Sequence, residues 1–388
     1  MNATITIKSI GPISLAQFEI KPLVAIIGPQ SSGKSTIAKL VSFCQWLEKR
    51  LFLDGELPCT IQKGLFEFHH VSKEYFSTKS DVLYISEFVE IHIDAKKTID
   101  YRVLKNEGYL LTKNIYIPAE RNFVSVIPNL GKYNEKQDAI MNFLYDWGTA
   151  KTHFTKAKDI LNLPVQYLYD KLGMDIVQLS GTEKKLLLEN SSSGLQSLIP
   201  LVILLEYLSS SIYKKDRVLS VDERLRLDTL LSDRDKTPSD DLLKQFTHYA
   251  YTNFIIEEPE QNLFPDTQRD LIYHLISIAK SRNSLRHKIL LTTHSPYILY
   301  SINNCLLAGL LEKEPLDEQD KNLPCYASRV KIDEVSLFTI EKGELKSIQT
   351  EKHGLLGDHY FNQSLSSTMD EFYQLRDFSQ KNGFSNGR

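Results

Sequence analysis

The sequence predicts an α/β protein with buried central strands, on three observations. Residues 23–27, 253–256 and 288–293 are short, mostly apolar runs, the mark of strands covered on both faces. Helical spacing follows the first run, with Ile37, Leu40, Val41, Cys44 and Leu47 on one face, and residues 266–281 carry another helix between the other two runs. A loop rich in Gly and Ser, Gly28 to Thr36, joins the first strand to the first helix.

The remaining elements follow in order. Residues 3–10 and 14–20 alternate apolar with polar and turn at Gly11-Pro12. The segment 60–78 reads as helical. A strand meander follows at 82–85, 88–93, 98–104 and 115–117. Residues 134–172 read as mainly helical, broken at Pro164, and 175–179 with 185–189 form a hairpin around Gly181. Ser193 is placed to cap a long apolar helix, 194–209. The segment 214–244 is dense in charge of both signs, contains Pro238 and reads as a solvated helical excursion. Strands at 335–340 and 344–348, turned at Lys342-Gly343, and a helix at 367–378 close the chain. Without long heptads, no coiled-coil arm is expected, and no internal repeat is found.

Composition excludes several classes. With 388 residues, 42% of them apolar, the chain can build a sizeable core and is neither a disordered tail nor a disulfide miniprotein. Length alone suggests roughly two to three domains in series. The 46 basic and 49 acidic residues leave a net charge of −3. That balance argues against a wholesale basic nucleic-acid binder and leaves only a local basic face open. Cys44, Cys59, Cys305 and Cys325 show no C-x-x-C spacing, so they suggest neither a zinc knuckle nor a redox pair and read as reduced thiols of a cytoplasmic protein. The start of the chain reads as a strand and not as a signal peptide. The longest nearly apolar run, Leu195 to Leu208, is interrupted by Gln196, Ser197 and Glu206 and reads as too short to span a bilayer.

Four motifs carry chemistry. Gly28-Pro-Gln30-Ser31-Ser32-Gly33-Lys34-Ser35-Thr36 fits the P-loop pattern, between a buried strand and a helix. Its backbone N–H groups would wrap phosphates at a helix N-terminus, Lys34 would reach the β- and γ-phosphates, and the Ser35 hydroxyl would ligate Mg²⁺. Phe254-Ile-Ile-Glu257-Glu258-Pro259 is an apolar strand ending in two carboxylates: Glu257 to hold Mg²⁺, Glu258 to polarise the attacking water as general base. Without the P-loop, the same pair would be an exposed acidic turn. His294, in Thr292-Thr293-His294-Ser295-Pro296, ends another buried strand; it is either a structural histidine or a group that hydrogen-bonds the γ-phosphate and water. Ser191-Ser192-Ser193-Gly194-Leu195-Gln196 opens an apolar helix, either as a plain N-cap or as a second phosphate clamp. His69-His70, on a predicted helix, reads as surface or core in preference to a metal site.

These elements in this order resemble the ABC-type ATPases of the SMC/RecF/OLD kind, and look closest to the compact bacterial AAA-15/AAA-21 proteins, whose cores are ABC heads. The opening from Ile7 to Pro12 is similar to that family's N-terminal subdomain. Ser192-Ser-Gly-Leu-Gln196 resembles its signature motif, Glu257-Glu-Pro-Glu-Gln-Asn-Leu-Phe-Pro265 its Walker B and D-loop, and Thr293-His-Ser-Pro296 its H-loop. Tyr116-Ile-Pro-Ala-Glu120-Arg121 resembles a recurrent segment near the Q-loop, which makes Glu120 and Arg121 candidates for nucleotide contact. The chain departs from the pattern at Glu257, where ABC proteins usually have Asp, at Phe264, where His is common, and at Leu195, in place of a second Gly. The departures point to slow hydrolysis and not to a dead enzyme.

The resemblance implies a P-loop NTPase of the ABC-head type, with an N-terminal antiparallel β-subdomain and a helical insertion. The implied division is an N-terminal ATPase lobe (1–125), a helical insertion and hairpin leading to the signature (126–190), a C-terminal ATPase lobe (191–350) and a terminal helix and tail (351–388). It further implies a homodimer or higher assembly whose heads sandwich ATP, with Ser193 and Gly194, and Gln196 beside them, meeting the γ-phosphate held by the other chain. No D-x-D follows His294, as a Toprim nuclease would need, so the chain is expected to control a separately encoded effector, a nuclease or toxin, as in two-gene anti-phage systems of the Septu and PARIS types. Two alternatives stand: a nucleotide-gated scaffold with little turnover, and a RecF-like DNA-repair ATPase that clamps duplex DNA. A small-molecule kinase would leave the signature and H-loop without a role.

Overall fold

The computed structural model describes all residues except 1, 58, 106, 127–137, 215–216, 218–223, 226, 228–239, 282–283, 316 and 382–388. The chain opens with β1 (Thr4–Ile10) and β2 (Ile13–Glu19), an antiparallel pair across Gly11-Pro12, followed by β3 (Leu23–Ile27). All five residues of β3 are buried, as the apolar run predicts. Helix α1 (Lys34–Asp54) buries Ile37, Leu40, Val41, Cys44 and Leu47 and ends at Gly55, whose left-handed backbone lets its N–H reach the Leu51 carbonyl.

The helix expected over 60–78 is overturned in part. Gln62–Phe68 is a π-helix and Lys73–Tyr75 a single 3-10 turn; from Phe76 the chain is strand β4 (Phe76–Ile85). The first residues of β4 are mostly exposed and polar, so they carry no periodic signal; pairing with β1, through an irregularity at Lys8/Ile10, makes them a strand. Strands β5 (Val89–Ile93) and β6 (Ile99–Val103) complete the expected meander, and β7 (Thr112–Ile117) leaves it.

The insertion is less helical than expected. After the short α2 (Phe123–Val126), the described residues of 134–172 hold one helix, α3 (Ala139–Lys151), capped by the Asp138 carboxylate on the Met141 N–H. The two-residue β8 (Lys158–Asp159) and β9 (Val165–Tyr169) follow, and they join β10 (Asp175–Leu179) and β11 (Lys185–Leu187) in a four-stranded antiparallel sheet. In β9 the alternation of Val165 and Tyr167, both buried, has period two, which the helical reading overrode. Most of the charged excursion 214–244 lies outside the described residues; its end enters α5 (Asp240–Thr247).

Helix α4 (Ser193–Ser210) starts one residue earlier than expected. Ser192, not Ser193, is its cap, with its side chain accepting from the Leu195 N–H. With its 3-10 extension to Tyr213, α4 is long and apolar enough by length and composition to cross a membrane, which corrects the reading of the run as too short. It is instead a core helix: Leu198 to Leu205 are all buried. The last lobe adds β12 (Tyr251–Glu257), α6 (Pro265–Ala279), the small hairpin β13 (Lys280–Ser281) and β14 (Ser284–Leu285), β15 (Lys288–Thr293), α7 (Pro296–Leu310), β16 (Val335–Glu341), β17 (Glu344–Ser347) and α8 (Tyr360–Lys381). Helix α7 carries no expectation from the sequence, and α8 is longer than the expected 367–378.

One eleven-stranded sheet organises the molecule, in the order β6-β5-β4-β1-β2-β17-β16-β3-β15-β12-β7. The run β16-β3-β15-β12-β7 is parallel, and the strands from β6 to β2 are antiparallel. Two hydrophobic clusters cover its faces. Leu23, Ala25 and Ile27 face one that holds α3, α4, α6 and α7; Val24 and Ile26 face the other, built around α1 and the N-terminal strands. Burial on both faces explains the near-absence of polar residues in β3.

Candidate functional site

The parallel strands set the site by register. Ile27 pairs with Thr293, and Thr292 pairs with Glu257. The ends of β3, β12 and β15 therefore lie at one level, and the chain leaves them there as the Gly28 loop, the Glu258 turn and His294. This is the carboxyl edge of a parallel sheet, where α/β folds bind ligands.

The loop is shaped for backbone approach. Gly28 has φ 155, and a Cβ there would lie 2.8 Å from Ser32 Oγ. Gly33 caps α1 at φ 102, where a Cβ would lie 2.7 Å from Ile13 Cγ1. No side chain caps α1, so its first N–H groups stay available to an anion. Gln30, Ser31 and Ser35 are exposed, Thr36 is turned inward, and Ser32 Oγ is buried without a hydrogen-bond partner. Lys34 is buried and donates to the carbonyls of Gly28 at 2.9 Å and Pro29 at 2.8 Å. Burial lowers its pKa to about 8, against the opposing pull of Glu258, Glu260 and Glu257.

Across the loop stand these three carboxylates. Glu257 is 6% exposed, and its Oε1 has no hydrogen-bond partner. Glu258 turns out of the strand at φ 43, a left-handed conformation that is strained for a residue with a Cβ. Its N–H donates to Thr292 O at 2.9 Å, and its Oε1 lies 3.4 Å from His294 Nε2. Burial, and then the Lys34 ammonium, lower the His294 pKa, while Glu258 raises it. The imidazole is thus neutral at pH 7 and can accept or donate one proton.

Three carboxylates stand against Lys34 and the buried Arg121, whose donors are spent on backbone carbonyls, and two buried carboxylate oxygens, Glu257 Oε1 and Glu260 Oε2, lack a donor. A divalent cation fits such a donor set, with Glu257 and the exposed Ser35 hydroxyl as hard oxygen ligands. The unpartnered Ser32 hydroxyl and the glycine cradle fit phosphate.

Other candidates fall elsewhere. Arg121 is 1% exposed and does not face the loop. It donates to the carbonyls of Glu257 at 2.9 Å, Glu258 at 2.7 Å and Pro259 at 3.1 Å, and to Ser197 at 3.3 Å in α4. Nucleotide contact by Arg121 is therefore corrected: its donors are spent on backbone, and it clasps the acidic turn to the α4 helix. Glu120 is exposed on the turn after β7. Gln196 is also internally engaged, donating to the carbonyls of Glu189 at 2.8 Å and Ser191 at 3.0 Å. Ser193 is exposed at the start of α4, and Gly194 lies close under the turn, where a Cβ would be 2.9 Å from Asn262 O.

Sequence reasoning missed Glu260. Its Oε1 accepts the His294 N–H at 2.6 Å and so sets the position of that residue; burial raises its own pKa. It also missed the Ser295 hydroxyl bond to Gln268, which ties the same turn to α6. Glu260 stands inside the acidic motif, three residues past Glu257, so a count of carboxylates there was the available signal. Among the described residues no group of three His, Cys, Asp or Glu side chains is placed to hold a metal ion.

The fold and this edge define a P-loop ATPase fold of the ABC-head type, a nucleotide-binding class. Residues 129–299 match the AAA_15 family model, described as an AAA ATPase domain; the match takes in Ser193, Glu257, Glu258 and His294. No curated protein matches the chain. Among solved structures, the SMC head domain from Thermotoga maritima is 10% identical, covers 90% of this chain and 100% of its own, and gives a TM-score of 0.40. A Pyrococcus furiosus Smc head domain with an extended coiled coil, bound to the C-terminal domain of ScpA, is 11% identical, covers 96% and 98%, and gives 0.39.

Lys34 yields a pH prediction. Bound phosphates favour its charged form, so a pKa near 8 in the free protein rises on binding. Between about pH 8 and pH 10, nucleotide binding then takes up a proton, and affinity falls as pH rises, by up to about tenfold per unit. Calorimetry in buffers of different ionisation enthalpy reads the uptake directly; binding without proton uptake in that window would contradict the placement of Lys34.

Proposed function

We propose that the chain hydrolyses ATP with Mg²⁺, as an ABC-type head that dimerises around nucleotide. One observation carries the reading: Glu258 and His294, 3.4 Å apart, stand at the same sheet edge as the Lys34 loop. Lys34 and the free N–H groups of α1 bind the phosphates, and Ser35 with Glu257 hold the cation, which neutralises charge on them. Glu258 takes a proton from the attacking water. His294, held by Glu260, orients that water and the terminal phosphate. Ser193, exposed at the N-terminus of α4, is free to complete the site of a second head-to-tail copy.

On the family resemblance the reading extends to a cytoplasmic protein that controls a separately encoded nuclease or toxin in anti-phage defence. Phosphate release in steady state tests the core of the proposal. Turnover is expected with Mg²⁺, abolished by chelation and by Lys34→Ala, with nucleotide binding lost in that variant. A folded wild-type chain that binds ATP and releases no phosphate over many hours would replace the enzyme by a nucleotide-gated scaffold.

A further inference from the structure

Helix α8 leaves the body of the protein after its first turn. Phe361 packs on the core cluster that holds α3, α4, α6 and α7, and the Asn362 side chain accepts from the Tyr300 hydroxyl at 3.0 Å. From Asn362 to Phe378 every residue is exposed, over a length of about 25 Å. Composition does not hold such a helix by itself. Asn362, Ser364, Ser366, Ser367 and Thr368 are weak helix formers, and most helical stability in proteins comes from packing an apolar face. Helix α8 has that face, and its own body does not cover it. Leu365 is 64% exposed, Phe372 56% and Leu375 69%, with Met369 beside them at 41%.

The spacing and the charges select the partner. Leu365, Thr368, Phe372 and Leu375 alternate steps of three and four residues, as the a and d positions of a heptad do, with Leu365 and Phe372 at a. Two heptads are too few to read as an arm from the sequence; the exposure of the row singles them out. In this frame Glu371 falls at g and Arg376 at e. In a parallel pair of identical helices a g residue faces the e residue five positions further on in the partner, so Glu371 of each copy meets Arg376 of the other. An antiparallel pair would put g against g and e against e and would form neither contact. Within the chain Arg376 lies over the Tyr373 ring and 3.9 Å from Asp377, at the exposed surface, where a second helix can reach it.

We propose that α8 pairs with α8 of a second copy of this chain, as a short parallel coiled coil along Leu365, Thr368, Phe372 and Leu375. The contact needs no nucleotide, so it stands or falls apart from the ATP-sandwiched dimer. It holds two copies at high local concentration whether or not their phosphate loops are filled.

The test uses the full chain without nucleotide or Mg²⁺. Light scattering after size exclusion, from about 1 to about 100 μM, is expected to show a monomer–dimer equilibrium. Phe372→Asp is expected to abolish it. Glu371→Arg and Arg376→Glu are each expected to weaken it about fivefold or more, by setting like charges together twice per dimer, and the two combined to restore it. Only a partner that carries both changes can restore pairing in this way. Thr368→Cys, on the seam, is expected to give a disulfide-linked dimer on mild oxidation, and Asp370→Cys, on the outer face, is not. The four native cysteines, buried or half-buried, set the background. A monomer throughout the range would overturn the proposal. So would a dimer that survives Phe372→Asp, a doubly reversed chain as weak as the single variants, or equal cross-linking from positions 368 and 370. All these positions are exposed on α8, away from both core clusters, so the body of the protein is expected to fold in every variant.

Discussion

Glu258→Gln is expected to lower the rate of ATP hydrolysis by about 10²- to 10⁴-fold, the range for losing a positioned general base. Gln keeps the shape and can still hydrogen-bond His294 but takes no proton. The left-handed backbone at position 258 is set by the turn, with its N–H on Thr292 O, so the substitution leaves the turn in place. Nucleotide affinity is expected to stay within a few-fold of wild type, because Lys34 and the α1 N-terminus are untouched. An ATP-bound dimer is then expected to accumulate, visible by light scattering. Full hydrolysis in this variant would move the general-base role to His294 or to water alone.

The largest expected effect on stability is at Arg121. Truncation to Ala strips donors from the carbonyls of Glu257, Glu258, Pro259 and Ser197 in a site closed to water. An ion removed from a buried hydrogen-bonded set costs on the order of 3–5 kcal/mol, most of it from acceptors left unpaired. Thermal unfolding reads that loss. Arg121→Lys keeps the charge, but one ammonium cannot reproduce a planar fork that reaches five carbonyls, that of Pro118 included. It is expected to fold and to lose at least about tenfold in the hydrolysis rate through a looser Glu258 turn, at near-normal ATP affinity. A Lys variant with wild-type rate would reduce Arg121 to a packing residue.

The site was legible in the sequence where chemistry is local. Gly28 to Thr36, Glu257, Glu258 and His294 each sit at the end of a strand whose burial on both faces leaves an unbroken apolar run, so strand and motif announce each other. What Arg121 does was not legible. Its acceptors are backbone carbonyls distant in sequence, and a carbonyl has no letter in the sequence. Gln196 failed for the same reason. In the fold, Phe76–Ser80 was missed because its strand character comes from its partner β1 and not from its own pattern, and Val165–Tyr169 because its short period-two alternation sits in a segment read as helical.

The position of β3 within the sheet also sets when the site can exist. Its neighbours on either side are β15 and β16: Ile26 pairs with Thr292 on one flank and Phe338 on the other. As the polypeptide leaves the ribosome, the strand that carries the phosphate loop waits about 260 residues for its first neighbour, β15, and longer still for its second, β16. Long-range parallel pairing of this kind is slow and leaves apolar strands open to wrong partners in the meantime. The nascent chain therefore has a long window in which β3 needs protection.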